Sequence, residues 1–141
     1  MSFTSDLVAH LKTDTDITDV VGSGASARIR PMVLHQNETL PAIVLDDVSG
    51  SSFSNLAGAS GHASTMVEID AVATTKAAAE SLRESIRKAI QNHRGAMGDV
   101  FVSGWSSVGR SSAYEAPTDG KAVGIYRAVL TAECHHSEDA T

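Results

Sequence analysis

The sequence predicts an α+β domain, with a mainly antiparallel sheet, helices packed on one face and a long mobile hairpin loop. Three observations carry this. Residues 65–73 alternate from side to side at the period of a strand. They run directly into residues 76–93, whose apolar positions recur at the period of a helix. A helical stripe opens the chain and a long β run over residues 122–134 closes it. The order helix, strands, helix, strands reads as α+β. At 141 residues the chain makes one domain, placed at 1–134, followed by a polar, flexible tail at 135–141.

Each element has its own signal. In residues 1–22, Phe3, Leu7, Val8 and Leu11 form a helical stripe, with Thr4 as the cap and Phe3 and Val8 as a hydrophobic staple. Thr13-Asp14-Thr15-Asp16 interrupts it, and Ile17, Val20 and Val21 add a further turn that Gly22 stops. Arg28-Ile29-Arg30-Pro31 is a short extended piece, and residues 41–45 form a strand entered through proline. Residues 49–64 are rich in Ser, Gly and Ala, a composition that buries too little surface to order itself.

In the strand at 65–73, Val67, Ile69, Ala71 and Ala73 point one way and Met66, Glu68, Asp70 and Val72 the other. Thr74 or Thr75 then caps the helix at 76–93. Ala79, Leu82, Ile86 and Ile90 face the core, Glu84 and Lys88 form an i,i+4 pair, and His93 meets the helix dipole. Residues 100–105 form a strand broken by Gly104, residues 106–121 a polar loop with a turn at Asp119-Gly120, and residues 122–134 the last strand.

Composition narrows the function. Hydrophobic residues are 42% of the chain and charged residues 20%, as in soluble globular proteins. No apolar run reaches membrane-spanning length and no leader is legible, which suggests a cytoplasmic protein. Eleven basic against seventeen acidic residues give a net charge of −6, which argues against a grip on nucleic-acid phosphates. Cys134 is the single cysteine, so an intrachain disulfide and a cysteine-based zinc site are excluded.

No constellation of residues points to catalysis. Gly58-Ala59-Ser60-Gly61 precedes its strand, whereas a phosphate-cradling loop follows a strand, opens a helix and closes on a lysine. The six histidines form no metal-ligand spacing, and His135-His136 in a tail would not fix a coordination geometry. Glu68 and Asp70 share a face but read as a solvated sheet surface, and Cys134 reads as an inert thiol. No cofactor and no metal are expected. Elimination leaves a structural or interaction protein rather than an enzyme.

The order of the pieces carries a resemblance. After the first helix come Arg28-Ile29-Arg30-Pro31 and Leu40-Pro41-Ala42-Ile43-Val44, then Val67-Glu68-Ile69-Asp70-Ala71-Val72-Ala73 running into its helix. Tyr114-Glu115-Ala116-Pro117-Thr118-Asp119-Gly120 precedes the final strand. This order resembles the tail-completion, or tail-terminator, proteins of long-tailed bacteriophages and prophages, over nearly the whole chain.

The resemblance implies a ring-forming subunit of the virion. A homohexamer would cap the tail tube protein, end tube elongation and offer the surface for the head-tail connector protein. Phage DNA would pass through the lumen without specific binding, six subunits at −6 summing to −36. In this setting the loop becomes a partner-docking arm comprising Phe53, Leu56, Gly58 and Gly61, with Phe53 and Leu56 as its anchors, one helical turn apart when bound. A head-completion or neck adaptor protein, a small cytosolic ligand-binding domain and an unrelated oligomeric scaffold are the alternatives.

Overall fold

The computed structural model describes residues 3–24, 27–31, 39–55, 58–91, 93–98, 100–116 and 124–137. Two short helices, α1 (Phe3–Leu11) and α2 (Thr15–Val21), lead into β1 (Ile29–Pro31), β2 (Ala42–Asn55) and β3 (Gly58–Ala73). The long helix α3 (Lys76–Gln91) then precedes β4 (Gly95–Met97), β5 (Val100–Glu115) and β6 (Ile125–Ser137). Six strands form one sheet in the order β1-β2-β3-β6-β5-β4. Among the described residues only the β1–β2 pair is parallel.

The helices form where sequence chemistry starts and stops them. Asp14 caps α2 by accepting from the Asp16 amide at 2.9 Å, and Gly22 closes it. Thr75 caps α3, its hydroxyl accepting from the Ala78 amide at 3.2 Å. Ala79, Leu82, Ile86 and Ile90 are the buried stripe of α3. Burying each of the three larger side chains contributes roughly 1.5–3 kcal/mol. They meet Val67 and Ile69 of β3 and Leu130 of β6, while Leu7, Leu11, Ile17 and Val21 bring α1 and α2 onto the same core. The described helices thus share one sheet face.

Several local expectations need correction. Thr4 lies inside α1 rather than capping it, and the Phe3 ring lies against His136 and Trp105. Glu84 pairs through both carboxylate oxygens with Arg87, whose guanidinium fork matches a carboxylate, and the charge of the expected i,i+4 partner Lys88 acts on it as well. Residues 106–115 are not a loop: they continue β5 against β6, from Ser106↔Glu133 to Glu115↔Ile125. The turn expected at Asp119-Gly120 lies outside the described residues. β6 runs three residues past the expected end of the domain, to Ser137. The sheet face opposite the helices is not uniformly solvated either, since Ala42, Val44 and Val72 are buried there.

Candidate assembly surfaces

The long hairpin is present and more regular than its composition suggests. β2 and β3 pair antiparallel from Ala42↔Val72 to Asn55↔Gly58, with irregularities between Asp47 and Ser49 and between Ser52 and Ser54. Among the described residues β6 pairs with β3 as far as His62↔Ser137, beyond which β2 and β3 continue as a two-stranded ribbon. Phe53 lies in β2, and Gly58 and Gly61 lie in β3. Leu56 lies outside the described residues. Phe53 lies in a strand of the free chain, whereas the helical turn aligning it with Leu56 was expected on binding a partner. Ladder hydrogen bonds order this segment through its backbone, which an argument from side-chain burial does not count.

The ribbon is rooted in a buried polar-aromatic cluster. His136, 6% exposed, stacks on Phe3 with ring centroids 4.8 Å apart. Its Nδ1 lies 2.6 Å from the Ser137 carbonyl, which can only accept, so Nδ1 carries the hydrogen. Nε2 is then left to accept from the Thr65 hydroxyl at 2.8 Å. His135 points the other way, exposed and 3.2 Å from Glu133. Strand alternation therefore separates two histidines that were expected in a flexible tail, and they cannot share a metal ion. Beside this cluster Cys134 is fully buried, and burial pushes its thiol up to about 12. That is the inert thiol expected.

At the far end of β5 and β6, the rings of Tyr114 and Tyr126 lie 4.7 Å apart. They border a cavity of about 190 Å³ beside Lys76 and Glu80 of α3. Arg127 bridges Asp70 at 3.4 Å and Glu115 at 2.6 Å. Burial, and then the charge of Glu68, raise the Asp70 carboxyl above its ordinary range, while Arg127 pulls it back. The carboxylate pair Glu68 and Asp70 is thus divided: Glu68 is exposed, whereas Asp70 is half-buried and held by Arg127. His93 also departs from expectation. Burial and the neighbouring His10 lower its pKa, opposite to the effect of a helix dipole.

Among the described residues, no group of three or more His, Cys, Asp or Glu could hold a metal ion, and no helix is long and apolar enough to cross a membrane. Surface features dominate instead. Val48, Phe101 and Tyr114 are exposed at 60%, 60% and 54%. A cleft of about 530 Å³ lies between α1 and the β1–β2 edge, lined by Thr4, Ser5, Val8, Ile29, Pro31, Asp46 and Asp47. No signal in the sequence marks this cleft, because its walls come from three separate elements.

The family model described as tail completion protein gp17 matches residues 5–133. The chain belongs to this family. This tail-completion protein is accordingly a structural component of the phage tail or neck, and so of the virion. Its fold is similar to a chain in a structure titled "Virion of native gene transfer agent (GTA) particle", at a TM-score of 0.73 and 12% sequence identity. The likeness covers 97% of this chain and 96% of the other. Curated proteins yield no match to this tail-completion protein.

Proposed function

We propose that this protein caps the tail tube as a homohexameric ring, ending tube elongation and forming the interface to which the head's connector joins. The family match across residues 5–133 carries this reading. An open sheet with edges at β1–β2 and at β5 agrees with it, since exposed strand edges favour association unless covered. The net charge of −6 suits a ring through which DNA slides without binding. The role is structural rather than catalytic and uses no cofactor, and assembly takes place in the host cytoplasm. The β2–β3 ribbon, with Phe53, Leu56, Gly58 and Gly61, is the arm that docks on a partner.

Adding purified protein to polymerising tube protein tests this. Tubes should stop growing, and six-membered rings should be visible at one end by electron microscopy. Undiminished tube growth would overturn the capping role. Rings that bind connector but never tube ends would assign the chain to the neck instead. Replacing Phe53 and Leu56 together by Ser should preserve the fold and abolish capping or head joining. Normal joining by the folded double variant would remove the arm from the proposal.

A further inference from the structure

We propose that the cleft between α1 and the β1–β2 edge receives the arginine-bearing edge of β5 from a second copy of this chain, joining subunits head to tail. This rests on the ring reading above and names the two surfaces that would build the ring. Beyond Leu45, no strand among the described residues runs along the outer side of β2. Residues 47–50 are exposed there. The adjoining cleft has apolar walls from Val8, Ile29 and Pro31, and carboxylates from Asp46 and Asp47. Those two carboxylates make no ion pair among the described residues.

The opposite edge of the same sheet carries the complementary charge. β4 pairs only with residues 100–102 of β5, and residues 109–115 are exposed. Along that edge Arg94 donates to the Ser103 carbonyl at 3.0 Å and Arg83 to the Ser111 carbonyl at 2.8 Å. Arg110 is exposed between them. The acids nearby are bonded to other arginines, Glu84 to Arg87 and Glu115 to Arg127, although the charge of Arg110 also acts on Glu84.

An arginine side chain matches the cleft in both its parts. Its aliphatic stem suits the apolar walls and its guanidinium suits the acidic lining, where strand alternation sends Asp46 and Asp47 to opposite sides of β2. Like edges would repel, since two β2 edges meeting would crowd four carboxylates. Joining opposite edges is a heterologous contact, which closes into a ring or propagates as a filament.

Charge reversal tests the pairing, with native mass spectrometry and imaging as readouts and thermal melts confirming that each variant folds. Asp46→Lys with Asp47→Lys, or Arg110→Glu alone, should each weaken self-association by at least about tenfold, because like charges then face each other. All three changes in one chain should restore assembly. Mixing the two single-edge variants should likewise restore assembly, with the two chains alternating, because Arg110 meets Asp46 and Asp47 at one joint and the substituted glutamate meets the substituted lysines at the next. Rings formed by either folded variant as readily as by wild type would overturn the edge assignment and leave the ring reading standing. Head-to-tail filaments in place of rings, still abolished by charge reversal, would support the edge pairing and overturn the ring. Wild-type protein that stays monomeric at every concentration and on tube ends would overturn both.

Discussion

His10 of α1 and His93, two residues past the end of α3, lie ring against ring with centroids 4.2 Å apart. His10 Nε2 is 3.2 Å from the Ala89 carbonyl oxygen, so the hydrogen sits on that nitrogen. Burial, and then the neighbouring His10, lower the His93 pKa from its ordinary value of 6.5. The unfolded chain therefore binds the His93 proton more readily than the folded one. Stability from this site is complete above the ordinary value and is lost as pH falls from there toward the lowered one. The urea midpoint should drop between about pH 7 and pH 5. His93→Gln should flatten that drop, and an unaltered pH profile in the variant would assign the acid sensitivity elsewhere.

Two glycines share a backbone conformation but differ in surroundings. Gly24 and Gly98 both have φ of 60°, yet a methyl group at Gly24 would meet nothing within 4 Å. At Gly98 it would lie 2.1 Å from Oδ1 of the fully buried Asp6. Gly24→Ala should cost about 1 kcal/mol for the left-handed conformation alone. Gly98→Ala should cost about 2–4 kcal/mol, because Asp6 must also be displaced. Denaturant titration of both variants measures the difference, and equal losses would mean that Asp6 yields freely.

Arg127 holds Asp70 across neighbouring strands. Removing it as Arg127→Gln should raise the Asp70 carboxyl further, since burial and Glu68 then act with less opposition. A raised folded value means stability is lost as pH rises through it. The variant should therefore be destabilised by about 1–3 kcal/mol near neutral pH and by much less near pH 3. Carboxyl NMR titration of Asp70 with paired melts at the two pH values checks this. A loss independent of pH would point to packing by the arginine stem.

The buried stripe of α3 gives a stability test. Ile86→Ala should cost about 2–5 kcal/mol, the range for truncating a fully buried aliphatic side chain. Glu84→Ala, on the partly exposed face beside Arg87, should leave the urea midpoint nearly where it was. Comparable losses at both positions would mean that the helix is rotated on the sheet.

What was legible in the sequence is what side-chain pattern encodes. The alternation from Val67 to Ala73 and the stripe Ala79, Leu82, Ile86, Ile90 place β3 and α3 on one another. The missed strand segments are those whose order comes from backbone pairing. Ser106 to Glu115 reads as polar chain until β6 lies beside it to accept the ladder. The Ser- and Gly-rich half of the hairpin is similar. The cleft at Asp46 and Asp47 is invisible in sequence because Val8, Ile29 and Asp46 meet only through the fold. Phe53 and Leu56 stood out as the bulky residues of a small-residue stretch, a signal of composition that carries no geometry.

Register shifts between Val102 and Gly104 and between Ser107 and Gly109 set 14 residues of β5, 102–115, against 12 of β6, 125–136. Each shift adds one residue and exchanges the strand's two faces. The first turns Trp105 toward the core and the second restores the original parity, so that Tyr114 meets Tyr126. The gene is therefore tolerant of length change here only in pairs. Loss of one codon at either shift would turn every side chain between that point and one end of the strand to the wrong side. Loss of a codon at both would shorten β5 by two residues and leave its ends facing as they do now. Homologous chains that differ in length along this strand are expected to differ by two residues rather than by one.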